Sequence, residues 1–267
     1  MIPAEFQRAL DLLDAGDASG LAAHLAAHPA LIRQRVDWAG AEYLQRPSLL
    51  EFIAENPVRH GTLPANAVEL AQVLLDAGAR DDAAALNATL ALVASGRVPR
   101  ECGVQEQLLQ LLCDAGADPA GALSSALAHG EFAAAGVLLE RGARVTLPAA
   151  AALGREEEVR RMLPSAGAGE RRAALALAAQ HGRTAVVAAL LDAGEAASGF
   201  NPPGFHAHST PVHQAAAGGH LATLRLLAER GADLSARDSV YGGTPLDWAA
   251  HAGRSDVAAY LNSRAAG

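Results

Sequence analysis

A short phrase returns along this chain, and it restricts the fold more than any other feature. It reads LLDAGAR at 74–80, LLCDAGAD at 111–118, LLERGAR at 138–144, LLDAGE at 190–195 and LLAERGAD at 226–233. Each copy has paired leucines, a short polar spacer and a glycine. The leucines can close the apolar face of a helix, and the glycine suits the left-handed position just past a helix end. A second phrase of small residues precedes it and also closes on glycine: LAHG ending at Gly130, AAQHG at Gly182, AAAGG at Gly219 and AAHAG at Gly253. Together they describe an alanine-rich helix, a glycine turn, a second helix and a glycine stop. A unit of this size has too little core to fold alone and must stack on its neighbours, which predicts an all-α solenoid.

Two stretches give the unit a family. TPVHQAAAGGHLATLRLLAERGADLSARD (Thr210–Asp238) resembles an ankyrin repeat, and TPLDWAAHAGRSDVAAYL (Thr244–Leu261) resembles a second, shortened as a C-terminal cap. Upstream, the LL-x-x-GA phrase carries the resemblance to about Leu74. Before that only helix patterning supports it. About eight units are expected, beginning near residues 3, 47, 83, 120, 147, 170, 208 and 242, in a single domain over 1–267. Its parts would be a divergent repeat and loop at 1–46, divergent repeats at 47–207, and a typical repeat plus cap at 208–267. Thr210 and Thr244 read as helix N-caps followed by proline at the first helical position. The resemblance implies that His213 bonds to its threonine and to neighbouring backbone. Asp247 stands at the matching position of the last unit.

Composition excludes several classes. The chain has 21 basic and 29 acidic residues, for a net charge of −8. A nucleic-acid backbone or an anionic membrane surface needs a basic face instead. Half of the residues are hydrophobic but only 4% are aromatic. Alanine supplies about a quarter of the chain, which favours closely packed helices. No apolar run is long enough to span a membrane, and the first residues do not read as a signal peptide. Cys102 and Cys113 make no disulfide framework, so a reducing, cytoplasmic setting is expected. The alanine-rich style suggests a bacterial-type repeat protein.

The departures from the repeat point to function. Between Gly142 and Gly182 the units shorten, so the connecting hairpins there should be tight turns. Elsewhere loops lengthen: 36–47 with Trp38 and Tyr43, 57–64 with His60, 196–209 with Phe200, Phe205, His206 and His208, and 238–243 with Tyr241. Five of the ten aromatic residues lie in these loops. Aromatic side chains on surface loops often anchor a partner, although they can equally fold back to plug gaps. The resemblance implies that the concave face carries the two residues before each inner glycine. These are Glu55 and Asn56, Ala94 and Ser95, Ala128 and His129, Gln180 and His181, Ala217 and Gly218, then His251 and Ala252.

Two constellations could carry chemistry. In an extended segment, His206 and His208 would point the same way and could share a metal, with Asp238 or Asp247 as further ligands. Glu51 and Glu55, four apart on a helix face beside His60, could divide acid and base roles. Neither pattern is complete in the sequence, so no metal, cofactor or catalytic residue is assigned. Glu51, Glu55, His206 and His208 remain the only catalytic candidates. No phosphate-binding loop, dinucleotide fingerprint or nucleophile elbow is present.

The resemblance implies a non-catalytic function: a binding scaffold that recognises a partner protein through its concave face and loop tips. The expected contact residues are Trp38, Tyr43, Glu55, Asn56, His129, Gln180, His181, Phe200, Phe205, His206, His208, Tyr241 and His251. The alternative is a small-molecule or enzymatic site in a hollow between the Trp38 loop and the His206/His208 loop.

Overall fold

The computed structural model describes residues 2–38, 44 and 46–265. Among the described residues there are sixteen α-helices, four 3₁₀ helices and no strand. The chain packs as two compact units, Met1–Arg144 and Val145–Gly267.

The first unit contains α1 (Ala4–Asp14), α2 (Ala18–Ala27), α3 (Ala67–Asp76), α4 (Ala83–Ala94), α5 (Arg97–Glu101), α6 (Gln105–Asp114), α7 (Pro119–Ala128) and α8 (Phe132–Glu140). A 3₁₀ helix, Leu49–Ala54, takes the place of one inner helix. Inner elements α1, the 3₁₀ helix, α4 and α7 touch in series, and outer helices α2, α3, α6 and α8 do the same behind them. In the second unit α9 (Leu147–Leu153), α11 (Ala168–Gln180), α13 (Pro211–Gly218) and α15 (Pro245–His251) form the inner series. Their partners are α10 (Glu156–Met162), α12 (Thr184–Asp192), α14 (Leu221–Glu229) and α16 (Ser255–Ala265). The eight pairs begin within three residues of the positions expected from sequence. The fold is an all-α solenoid of helix-turn-helix repeats.

Local chemistry explains the joints. The glycine between the helices of a pair is left-handed, with φ of +74° at Gly154 and +78° at Gly219. A side chain would be strained there. At Gly219 a Cβ would also meet the Arg254 Cδ at 3.0 Å. Starts are capped by side chains that bind the orphan N–H groups of the first turn. Asp17 accepts from Gly20 N–H at 2.8 Å and Asp82 from Ala85 N–H at 3.0 Å.

Four inner elements also carry a side chain at the third helical position that returns to the cap. Ser48 N–H donates to Glu51 (2.7 Å), Gly167 N–H to Glu170 (3.0 Å), Thr210 N–H to His213 Nδ1 (3.3 Å) and Thr244 N–H to Asp247 (2.8 Å). Glutamate, histidine and aspartate thus do one job in different repeats.

Alanine makes the layers thin. Ala149–Ala152 and Ala173, Ala174, Ala176, Ala178 and Ala179 are all buried, and the leucines of the recurring phrase close the gap behind them. The second unit's core joins Leu175, Val187, Leu190, Val212, Leu224 and Leu227. The two cysteines are free and lie on different elements, Cys102 ending α5 and Cys113 within α6.

Candidate functional site

The second unit displays its loops through a set of short clasps. Ser209 Oγ accepts from Gln214 Nε2 at 2.8 Å and donates to the His206 carbonyl at 3.0 Å. The Ser209 carbonyl accepts from Asn201 N–H at 2.8 Å, which closes the loop on itself. From α11, Arg172 spreads its guanidinium over the carbonyls of Ala196 (2.7 Å), Gly199 and Phe200 (3.1 Å). Burial lowers the pKa of that guanidinium. The loop thereby holds Phe200 half exposed and Phe205, His206 and His208 partly exposed.

Asp238 is the clasp of the next loop. It accepts N–H bonds from Val240 (3.0 Å), Tyr241 (2.6 Å) and Gly243 (2.9 Å), and the indole N–H of Trp248 (3.0 Å). These donors, the Tyr241 N–H foremost, hold its carboxyl far below the usual carboxylate range. Ser239 N–H donates to the His208 carbonyl at 2.9 Å and ties the two loops together. Tyr241 stands 82% exposed at the tip of this rigid turn.

Between the loops and the inner helices lies an open groove of about 540 Å³. His208, Tyr241, Asp247, Trp248 and His251 line it, with Ala217 and Ala252. The His208 ring sits 5.6 Å from Trp248 and 6.5 Å, edge-on, from Tyr241. Asp247 gives Oδ2 to the Thr244 cap, and that bonding lowers its pKa. Beneath them, His213 Nε2 donates to the Gly243 carbonyl at 3.1 Å, and burial lowers its pKa. It is the neutral, structural histidine that the repeat resemblance implies.

The first unit has a second groove, about 380 Å³, along its inner face. Asn56, Ser95 and His129 of the expected concave stripe meet there beside Glu51, Ala88, Ala91, Leu92 and Ser125. Asn56 donates to the Leu92 carbonyl at 3.3 Å. His129 Nδ1 lies 2.9 Å from the Ser125 carbonyl.

Glu55 does not join that open face. It ends the 3₁₀ helix in a left-handed conformation (φ +47°), and its carboxylate accepts the N–H groups of Arg59 (2.8 Å) and His60 (3.0 Å). Its other oxygen is ion-paired with Arg59 Nε at 3.1 Å. Glu51 is buried in its cap and faces Arg35 at 3.4 Å. The two carboxylates therefore serve different partners and share no helix face. Trp38 packs edge-on against Phe52 at 5.0 Å, with its indole N–H buried and unpartnered among the described residues. The nook around Trp38, Glu51 and Glu55 has no room even for water. Tyr43 lies outside the described residues.

The His206–His208 segment is not extended. His206 is left-handed (φ +57°), and the two rings stand 6.3 Å apart, edge to face. Both Asp238 oxygens are spent on N–H donors, which leaves none for a metal.

Sequence reasoning missed the stitches between repeats. The residue after an inner glycine reaches back to the carbonyl two positions before the previous one. Arg183 Nε donates to Ala152 O (2.8 Å), Arg254 Nε to Ala217 O (2.9 Å), and His220 Nε2 lies 2.9 Å from Gln180 O. A cation or histidine recurring just after the glycine was the available signal. Gln180 thus offers its carbonyl to this stitch, with His181 next to it capping α11.

Residues 212–261 match the family model described as ankyrin repeats (many copies). No curated protein matches the sequence. No helix among the described residues is long and apolar enough to cross a membrane. The match falls on α13 to α16, where the cap, the glycine turn and the stitch all occur together, and this part of the chain is similar to ankyrin repeats.

Proposed function

We propose that this chain is a non-catalytic scaffold that holds a partner protein on its inner-helix faces and loop tips. One observation carries the reading: Tyr241 is fully presented on a turn that Asp238 makes rigid, beside a groove walled by Trp248 and His208. A pre-ordered aromatic tip loses little entropy on docking, and aromatic anchors next to a pocket make typical hot spots. His251 lines the same groove, and Phe200, Phe205 and His206 are offered by the 196–209 loop that Ser239 ties to it. Asn56 and His129 form a smaller polar contact face in the first unit. The net charge of −8 favours partners with a basic surface. A cytoplasmic setting accords with both cysteines being free.

The test is affinity capture from the native host with wild-type, Tyr241→Ala and Phe200→Ala chains as bait. A protein retained by the wild type and lost with Tyr241→Ala, at unchanged thermal stability, supports the reading. Equal capture by all three chains overturns the assignment of this surface.

A further inference from the structure

We propose that Glu5, His24 and His28, in the first unit, form a binding site for a zinc-like divalent metal ion. Glu5 lies in the first turn of α1, His24 in the last turn of α2, and His28 at the cap that ends α2. Their ligand atoms all lie within 4.8 Å of one another, the one such group of three among the described residues. The Glu5 Oε2 atom stands 3.7 Å from His24 Nε2 and 3.5 Å from His28 Nε2. A tetrahedral zinc with bonds near 2.0–2.1 Å has donor-to-donor edges of about 3.4 Å. The two edges from Glu5 are within a few tenths of that value, and the third, between the histidines, is at most 4.8 Å.

Each part of the geometry has a local cause. His24-Leu-Ala-Ala-His28 spaces the imidazoles four apart, which puts both on one side of a helix. Their rings are 4.8 Å apart and tilted by 46°, too crossed for a stacked pair. Leu21 and Leu25, buried beside them on α2, fix its rotation against the core. The His24 Nε2 atom also lies 2.9 Å from the Glu5 backbone carbonyl, which holds this ring over α1. To accept a metal the ring passes its proton to Nδ1, a change of tautomer with no change of charge. The carbonyl end of α2 and the Glu5 carboxylate both favour a cation there. Two imidazoles and one carboxylate select zinc and its neighbours in the first transition row over calcium or magnesium, which prefer all-oxygen shells. Three protein ligands leave a fourth position for water. Binding would pin α1 to α2 and brace the start of the solenoid.

The test is titration of the full chain with Zn²⁺ by calorimetry, and with Co²⁺ by visible absorption as a probe of tetrahedral geometry. Wild type is expected to bind one ion with micromolar affinity and to give the intense tetrahedral Co²⁺ spectrum. Glu5→Gln and His28→Ala change exposed side chains and leave the fold intact. Each is expected to weaken binding at least tenfold and to abolish the Co²⁺ signal. The double variant His206→Ala/His208→Ala is expected to bind as the wild type does. Absence of binding by the wild type overturns the proposal. So does equal binding by Glu5→Gln and His28→Ala, or loss of binding in the His206/His208 double variant.

Discussion

The two units solve the problem of joining repeats in different ways. In Val145–Gly267 the same stitch recurs: Arg183, His220 and Arg254 each reach one carbonyl of the preceding inner helix. In Met1–Arg144 the ties are ion pairs, one of which, Arg141 to Asp114, has a counterpart in the second unit in Arg230 to Asp192. Arg35 joins Glu51 and Asp82, Arg59 joins Asp14 and Glu55, Arg100 joins Glu131, and Arg141 joins Asp114. A backbone carbonyl is present in every repeat whatever its sequence, so a stitch to it can be copied from unit to unit. An ion pair needs two matched side chains and must be settled separately at each joint.

The largest test of the contrast is Arg59→Leu. The guanidinium is nearly buried and faces the buried Glu55 carboxylate, so its removal strands a charge. The expected cost is about 3 kcal/mol in denaturant unfolding. Hydrogen exchange should place the loss in Met1–Arg144 while amides of Val145–Gly267 keep their protection.

Caps should not distinguish the units. Thr210→Ala and Ser48→Ala each remove a side chain at the start of an inner element, at about 1 kcal/mol apiece. A large inequality in their unfolding free energies would show that the two caps are not equivalent.

A single stitch is comparable or smaller. Arg183→Ala gives up a bond to one carbonyl, about 1 kcal/mol, and should loosen the amides of α9 and α11 without disturbing the first unit.

Acid should also separate the units. Burial holds His213 and His220 below the ordinary histidine value of 6.5. The unfolded chain therefore takes up these protons before the folded unit does. Stability from both histidines is complete above pH 6.5 and drains away as pH falls below it. Asp238, and to a lesser degree Asp247, adds a further loss below about pH 4, where an unfolded carboxylate begins to protonate. Thermal melts of the second unit, followed by hydrogen exchange, should fall between pH 7 and pH 5. His220→Gln, which keeps a donor but cannot titrate, should flatten that slope.

At the groove the expected effect on stability is smallest. Tyr241→Ala should leave the melting temperature unchanged, because the ring is exposed, and act only on partner retention.

Much of the scaffold was legible in the sequence. Thr210, Pro211, Gly219 and Gly231 act on backbone within four residues of themselves, so their roles follow from identity and spacing. The site was legible in part. Loop aromatics and the stripe positions Asn56, Ser95, His129 and His251 mark the groove linings, but only folding shows which of them meet. Glu55 reads as a face residue and is instead an internal clasp, because its residue turns left-handed and carries the carboxylate away from the helix face. Trp38 reads as a free loop anchor and packs on Phe52.

What the chain determined by itself is the repeat: helix, glycine turn, helix, glycine stop, since those preferences are local and need no partner. What the tertiary structure decided is every tie whose ends lie far apart in sequence. Arg172 over the 196–200 carbonyls, Arg183 on Ala152, and Glu5 beside His24 and His28 are such ties. Their bonds depend on distances set by stacking, and no residue's own propensity contains that information.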